Sequence, residues 1–430
     1  MKRPPAEVTK RLRELARQVR EIAEDPLQEE HRRIWTAVND CKMEKPAILA
    51  RDYPWFLMQY EDELKVTLED TFWATVELDL LQRIYEWKHL RCHRVIEPVI
   101  YCPICVTDSI FGLTPSVPDA GKLSGIEEER IKGARHFYTV IFNEKDLEKI
   151  RYPEIQYDEK ETMERLAAMQ EVFDGILEVK LLGKHYFSCV PWDDLLTWLG
   201  IEEGMYKFID EPEFMHQAVS RYIEVSINRL EQYEKLGLLT SNNGNFTVGN
   251  GGYGYTTELA PATKSGIGAR ARDMWGDCAD QLLTAMSPAM TKEFAFDHEA
   301  LWAAKWGRMH YGCCERLDHK LEELKVLPGL KKISVSPFSK KEEAIEKMDK
   351  DKVVSFKPHS VNLAGDTPRF DALEKELKEV CELAIKHGKS MEILMKTIIN
   401  LGGEPQRLWK WCEMATQIID SYFSNTGKTL

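Results

Sequence analysis

The densest group of reactive side chains in the chain is His310-Tyr311-Gly312-Cys313-Cys314-Glu315. Thiolates beside a carboxylate can hold zinc with one coordination position left open. Zinc held in that way acts as a Lewis acid on an ether oxygen or a thiol. Side chains alternate along a strand, so Cys313 and Glu315 share one face and Cys314 points to the other, unless the strand has already ended. A third ligand has to come from another element, and His359 is the candidate. The plainer alternative is a pair of small buried hydrophobes, since free cysteine commonly packs in cores.

Other motifs point less directly to chemistry. Cys102-Pro103-Ile104-Cys105 is a CxxC, but no second CxxC accompanies it and it lies inside an apolar run, so it is read as structural. Residues 243–256, NGNFTVGNGGYGYT, expose backbone N–H groups in the manner of a phosphate cradle. They lack the Lys-Ser/Thr ending of a P-loop, and a flexible loop over the mouth of a site is the expectation. Tyr253, Tyr255 and Trp275 could then line an aromatic-friendly pocket.

The elements that position these residues follow from hydrophobic period. Leu12, Leu15, Val19, Ile22 and Ala23 form one helical stripe over residues 10–24. Residues 46–52 read as a buried strand ending in Asp52, followed by a helix from about 59 to 90. The segments 94–106, 136–142 and 176–190 are β-rich. Beyond 190, strands and helices alternate. Helix 211–236 has Asp210 as its cap, strand 238–249 follows, and Ser287-Pro288 opens a helix to about Gly307. Strands at 309–314, 330–338, 352–358 and 391–400 are separated by helices 340–349 and 367–388 and followed by a last one carrying Leu408, Trp409, Trp411 and Cys412.

Such alternation predicts parallel βαβ units. No GxGxxG follows a first strand, and a closed (β/α)8 TIM barrel, an α/β fold, suits the pattern better than an open sheet. The reading is an N-terminal helical extension over 1–45 and one barrel domain over 46–430, with an inserted β/α layer around 94–180. Reacting groups in this fold sit where strands run into the following loops. That places Asp52, Trp192 and Asp193, Asn242 to Asn250 with Tyr253, Asp273 to Asp277, Cys313 to Glu315, Ser336, Lys357 to His359 and Lys396 to Asn400 on one short roster. Asp52, Trp192, Tyr253 and Trp275 are its substrate-contact candidates.

Composition excludes some functions. Against 58 basic side chains stand 71 acidic ones, a formal charge of −13, with no basic stripe to neutralise phosphates, so nucleic acid is not the expected ligand. No run approaches the roughly 18 apolar residues of a membrane span. The start, MKRPPAEVTKRLREL, lacks an apolar signal core, and ten cysteines in 430 residues suit reduced thiols, so a cytoplasmic protein is expected.

Residues 191–237 (PWDDLLTWLGIEEGMYKFIDEPEFMHQAVSRYIEVSINRLEQYEKLG), 271–296 (ARDMWGDCADQLLTAMSPAMTKEFAF) and 309–318 (MHYGCCERLD) resemble, in order, the uroporphyrinogen decarboxylase-like superfamily. The resemblance covers about residues 185–424, and 30–110 more loosely. That superfamily holds decarboxylases of uroporphyrinogen and corrinoid-dependent methyltransferases. The decarboxylases carry an early Arg-Gln-Ala-Gly-Arg loop that grips acidic side chains, whereas Ala50-Arg51-Asp52-Tyr53-Pro54-Trp55 keeps one arginine here. Thiol methyltransferases show His-x-Cys-Gly and a later cysteine. Here Cys313 carries over, Tyr311 replaces the histidine, and Gly403 stands where the last cysteine is expected.

The resemblance therefore implies a methyltransferase moving a methyl group from a small methoxylated donor, aromatic donors included, to the cob(I)alamin of a partner corrinoid protein. The departing oxygen needs an electrophile, either zinc at Cys313 or Cys314 or a proton donor such as Glu315 or Tyr311. A uroporphyrinogen-type decarboxylase and a non-catalytic corrinoid- or tetrapyrrole-binding barrel are the alternatives. Residues 94–190 are read as a cover for the mouth or as the surface of a homodimer.

Overall fold

The computed structural model describes residues 4–113 and 137–424. Its strands, in chain order, are β1 (Ala47–Ala50), β2 (Val99–Pro103), β3 (Val106–Asp108), β4 (Ile155–Tyr157), β5 (Glu178–Leu182), β6 (Ser188–Cys189), β7 (Trp275–Cys278), β8 (Arg308–Tyr311), β9 (Leu330–Val335), β10 (Val353–Phe356) and β11 (Ser390–Met395). Seven of them form one parallel sheet in the order β1-β11-β10-β9-β8-β7-β6. Beside β1, the chain at 93 adds one ladder-like contact, His93 N–H to the Ile48 carbonyl at 3.1 Å. Helices such as Pro212–Lys235, Phe370–His387 and Gln406–Phe423 alternate with these strands. Phe370–His387 stops where Gly388 takes the left-handed conformation, φ 58°.

The main strands are buried along their length, as parallel strands covered on both faces must be. Alternation sorts each strand into two faces. Tyr311, Ile333, Val335, Val354, Phe356, Met391 and Ile393 form an apolar face, while Asp277, His310, Lys332, Ser334, Ser355 and Glu392 form a buried polar one.

The polar face curls around the glycine-rich segment, which is packed inside it and does not lie over its mouth as expected. Arg51 donates to the carbonyls of Gly249 and Gly251, Gly252 N–H to Glu392 Oε1 at 3.0 Å, and Trp275 Nε1 to the Gly254 carbonyl at 2.9 Å. A Cβ on Gly251 would stand 2.9 Å from Glu392 Oε1 and 3.2 Å from His310 Cδ2. Those two side chains lie three strands apart in the sheet, so the sheet wraps the segment in a TIM-barrel-like way. Of the strand expected at 238–249 two isolated bridges remain, Leu239 in parallel to Lys184 and Thr247 antiparallel to Tyr253.

Around this frame, helix Ala6–Ala23 packs Leu12, Leu15 and Val19 against helix Thr71–His89, with Arg11 Nε 2.8 Å from Glu77. A helix expected from about 59 begins only at Thr71, where Asp70 accepts from Phe72 and Trp73 N–H and Glu77 accepts the N–H of Thr67 and Leu68. The helix expected behind an Asp210 cap is preceded by a second one, Ile201–Asp210, so Asp210 ends a helix and Glu211 is the junction. In the insertion, β2 pairs in parallel with β5 and β3 antiparallel with β4. Of the strand expected at 136–142, residue 136 lies outside the described residues. In the remainder, Val140 and Ile141 N–H both donate to the Trp198 carbonyl. Among the described residues, no helix is long and apolar enough to cross a membrane.

Candidate active site

Parallel pairing brings the C-terminal ends of β8 to β11 to one edge, where their loops enclose a cavity of about 350 Å³. Cys313 and Cys314 reach it from the turn after β8, Phe338 from after β9, Lys357 and His359 from after β10, and Lys396 and Ile399 from after β11.

The cysteine turn departs from strand alternation. Gly312 takes φ +97°, its carbonyl accepts from Ser334 Oγ at 2.8 Å, and Glu315 Oε2 accepts the Cys313 N–H at 2.8 Å. The turn therefore sets both sulfurs on one side, 3.5 Å apart. Lys396 Nζ lies 3.6 Å from Cys313 Sγ and 3.4 Å from Asp52 Oδ2, and donates to Asn250 Oδ1 at the tip of the glycine-rich segment. The hydrogen bond from Cys313 brings the Cys314 thiol down to about 6, helped by Lys396 and Lys357 and opposed by burial, while the Cys313 thiol is held up. Alkylation of Cys314 by iodoacetamide is expected to rise through pH of about 6 and then level off. In Lys396→Gln the midpoint moves up, because a cation that favours the thiolate is gone. A midpoint near the ordinary value of about 8.5 in the unaltered protein would count against this geometry.

Behind the cysteines lies a buried chain of polar groups. Lys357 Nζ donates to Ser334 Oγ and, at 3.0 Å, to both the carbonyl and the hydroxyl of Ser355. Burial, and then repulsion from Lys396, brings Lys357 down to about 7. Ser334 Oγ lies 3.2 Å from His310 Nε2, and His310 Nδ1 lies 2.6 Å from Asp277 Oδ1. Tyr186 closes the chain by donating to Asp277 Oδ2 at 3.2 Å. Burial raises Asp277 to about 7 and drives His310 well below its usual range, so near neutral pH the lysine and the carboxyl can each exist with or without a proton.

The candidates read from the sequence fall into three groups. Cys313, Cys314 and His359 line this cavity together, and Asp52 borders it through Lys396. Glu315 sits behind the turn, 3% exposed, holding the Cys313 backbone, and its other oxygen has no hydrogen-bond partner. The rest are elsewhere. With His310 on the polar face, alternation turns Tyr311 the other way, against Phe296 with ring centroids 5.4 Å apart. Trp192 is packed on Phe208 with Nε1 donating to the Phe294 carbonyl. Trp275 is buried beneath Gly254 and faces Lys332. Tyr253 instead lines a second, larger cavity of about 690 Å³ between helix Thr71–His89, β2 and Phe246. That space is lined by Asp79, Glu86 and Glu97 with Arg83 and Arg165 but by no cysteine, lysine or histidine, whereas the strand ends bring thiols and two lysines together.

Zinc does not fit these residues. Among the described residues no three His, Cys, Asp or Glu side chains converge as metal ligands. The quadrant beside Cys313 is taken by the Lys396 amine, and the His359 ring packs against Phe338 with centroids 5.5 Å apart. Lys357 and Lys396 stand at the strand ends, and the cations they offer need no metal. Their signal was legible: Lys332-x-Ser334-x-Ser336, Ser355-x-Lys357 and Glu392-x-x-x-Lys396 place polar groups on one face of otherwise apolar strands.

No protein-family model matches the chain, and no curated protein matches its sequence. In three dimensions the chain is similar to a methyltransferase from Methanosarcina mazei, with a TM-score of 0.50 and 11% identity over 90% of this chain and 98% of that one. At that identity the likeness carries the fold, and the parallel sheet with its helices is a TIM-barrel-like α/β architecture.

Proposed function

We propose that the chain is a methyltransferase of the uroporphyrinogen decarboxylase-like superfamily, a (β/α)8 barrel whose eighth strand is the segment at 93–97. It takes a methyl group from a small methoxylated donor and passes it to a corrinoid carried by a partner protein. The observation that carries this reading is the strand-end cavity, lined by the buried Lys357 and Lys396 and by the exposed apolar Phe338, Val361 and Ile399. An apolar ring or chain suits the wall, and an oxygen that leaves as an anion suits the lysines. The corrinoid, when bound, supplies the electron pair that accepts the methyl group.

The chain's own residues have the remaining work. The donor's methyl–oxygen bond breaks with its electron pair going to the oxygen, and an unassisted alkoxide or phenolate is a poor leaving group. Lys396 meets the developing negative charge with a fixed ammonium, and Lys357, brought to about 7, hands over a proton. Ser334, His310 and Asp277 can return one to it along the buried chain. The exposed apolar residues Phe338 and Ile399, 62% and 66% exposed, leave the cavity open toward a partner.

The test is optical. Free cob(I)alamin is mixed with the protein and a panel of methoxylated aromatic and aliphatic compounds, and the cob(I) absorption is followed. Decay with one donor is expected, and Lys396→Met should slow it roughly 10²–10³-fold, the scale of a lost oxyanion-stabilising donor. No decay with any donor, while a known methyl donor converts the same cob(I)alamin, would overturn the reading.

A further inference from the structure

Adjacent cysteines at a cavity can do more than donate electron density. Cys313 and Cys314 are consecutive, their sulfurs are 3.5 Å apart, and both are partly exposed to the strand-end cavity. Other neighbouring thiols differ. Cys189 beside Cys278 and Cys92 beside Cys412 are all buried, out of reach of a soluble oxidant, and in the Cys102–Cys105 pair Cys105 is partly exposed but Cys102 is buried.

We propose that Cys313 and Cys314 form a redox-active vicinal dithiol, which a low-molecular-weight disulfide closes reversibly into a Cys313–Cys314 bridge. The Cys314 thiolate attacks one sulfur of the small disulfide, whose S–S bond breaks and releases one thiolate. Cys313 loses its proton and attacks the Cys314 sulfur, breaking the mixed disulfide and releasing the second thiolate. The protein loses two electrons and two protons, and the small disulfide becomes two thiols. Lys396, 3.6 Å from Cys313 Sγ, favours the anion that each attack requires.

Closure draws the sulfurs from 3.5 Å to about 2.05 Å. Consecutive Cα atoms are only about 3.8 Å apart, short of the usual disulfide range of about 4.4–6.8 Å, so the bridge is strained and readily reduced. Strained, accessible bridges are the labile and regulatory kind. Reduced, the pair supplies a thiolate opposite Lys396. Oxidised, it supplies none, and the cavity loses a negative charge while Lys396 keeps Asp52 at 3.4 Å as its counter-ion. The bridge forms whether or not the chain transfers methyl groups.

The full chain is incubated with oxidised glutathione and the peptide carrying both cysteines is weighed. The expected result is loss of two hydrogens, reversed by dithiothreitol, with Cys313→Ser and Cys314→Ser each stopping at a single glutathione adduct. A glutathione adduct that persists on the unaltered pair would overturn the proposal, as would oxidation confined to other cysteines. The unaltered protein alone decides between these outcomes, so folding of the variants is not at issue.

Discussion

Lys332→Met is expected to destabilise the fold by about 3–5 kcal/mol, the cost of leaving one member of a buried ion pair without the other. Lys332 Nζ and Glu392 Oε2 are 2.8 Å apart with both side chains fully buried. Burial opposes both charges. Lys332 nonetheless holds the Glu392 carboxyl below its usual range, helped by the Ser355 hydroxyl, which donates to Oε1 at 2.6 Å. The amine also donates to the Tyr253 carbonyl and stands over the Trp275 ring, so it links the sheet to the segment inside it. Without Lys332, burial is opposed only by the Ser355 hydroxyl, the Gly252 N–H and the more distant Lys357, and the Glu392 pKa is expected to rise above the unfolded value. The sign of the pH dependence then reverses at this site. In the unaltered protein Glu392 contributes stability above the unfolded pKa of about 4.3 and loses it as pH falls. In Lys332→Met, stability is recovered as pH falls toward 5, because the stranded carboxylate takes up a proton. Urea unfolding at pH 7 and pH 5 measures both effects. The double variant Lys332→Met/Glu392→Leu should lose much less than the sum of its singles, and strict additivity would mean that the pair is not coupled.

Much of the architecture was legible in the sequence because parallel strands and amphipathic helices announce themselves by period. The strands at 46–52, 330–338, 352–358 and 391–400 lie where the apolar runs put them, with ends a few residues shorter. What period could not convey was the turn after β8. Alternation separates Cys313 from Cys314, and only the positive φ of Gly312 together with the Glu315 hook returns the two sulfurs to one side. The same rule, applied to His310, would have sent Tyr311 away from the site. The glycine-rich segment misled for a different reason. Glycines that make a loop flexible are also the residues that let backbone pass close to other groups, and the sequence alone does not say which use is made of them. Two thiols, a carboxylate and an imidazole in the sequence suggest zinc. The buried lysines on the same strand faces carried an equal signal for an electrophile, without any metal.

Gly252→Ala is the sharpest test of that segment's place, with an expected cost of about 3 kcal/mol or more, at the upper end of overpacking. A Cβ there would lie 2.2 and 2.3 Å from two atoms of the Trp35 ring. That ring cannot easily give way. It is fully buried, its Nε1 donates to the His93 carbonyl at 2.7 Å, and its edge packs on Tyr253. Gly249→Ala acts three residues earlier, where a Cβ at φ +53° would stand 1.9 Å from Asp277 Oδ1. Asp277 would have to leave His310, and the displaced segment would carry Asn250 away from Lys396. Gly237→Ala is the control. Its φ is also positive, +69°, but nothing lies within 4 Å of the new carbon, so only the left-handed backbone penalty of about 1–2 kcal/mol applies. Thermal and urea unfolding of the three variants separates backbone strain from collision. If Gly252→Ala costs no more than Gly237→Ala, the segment does not fill the curl of the sheet, and the polar face must be covered by something else. If it costs the larger amount, the glycines are what allow a backbone amide to reach Glu392 and the backbone to pass close to Asp277, and the cavity at the strand ends stands on a floor that the segment completes.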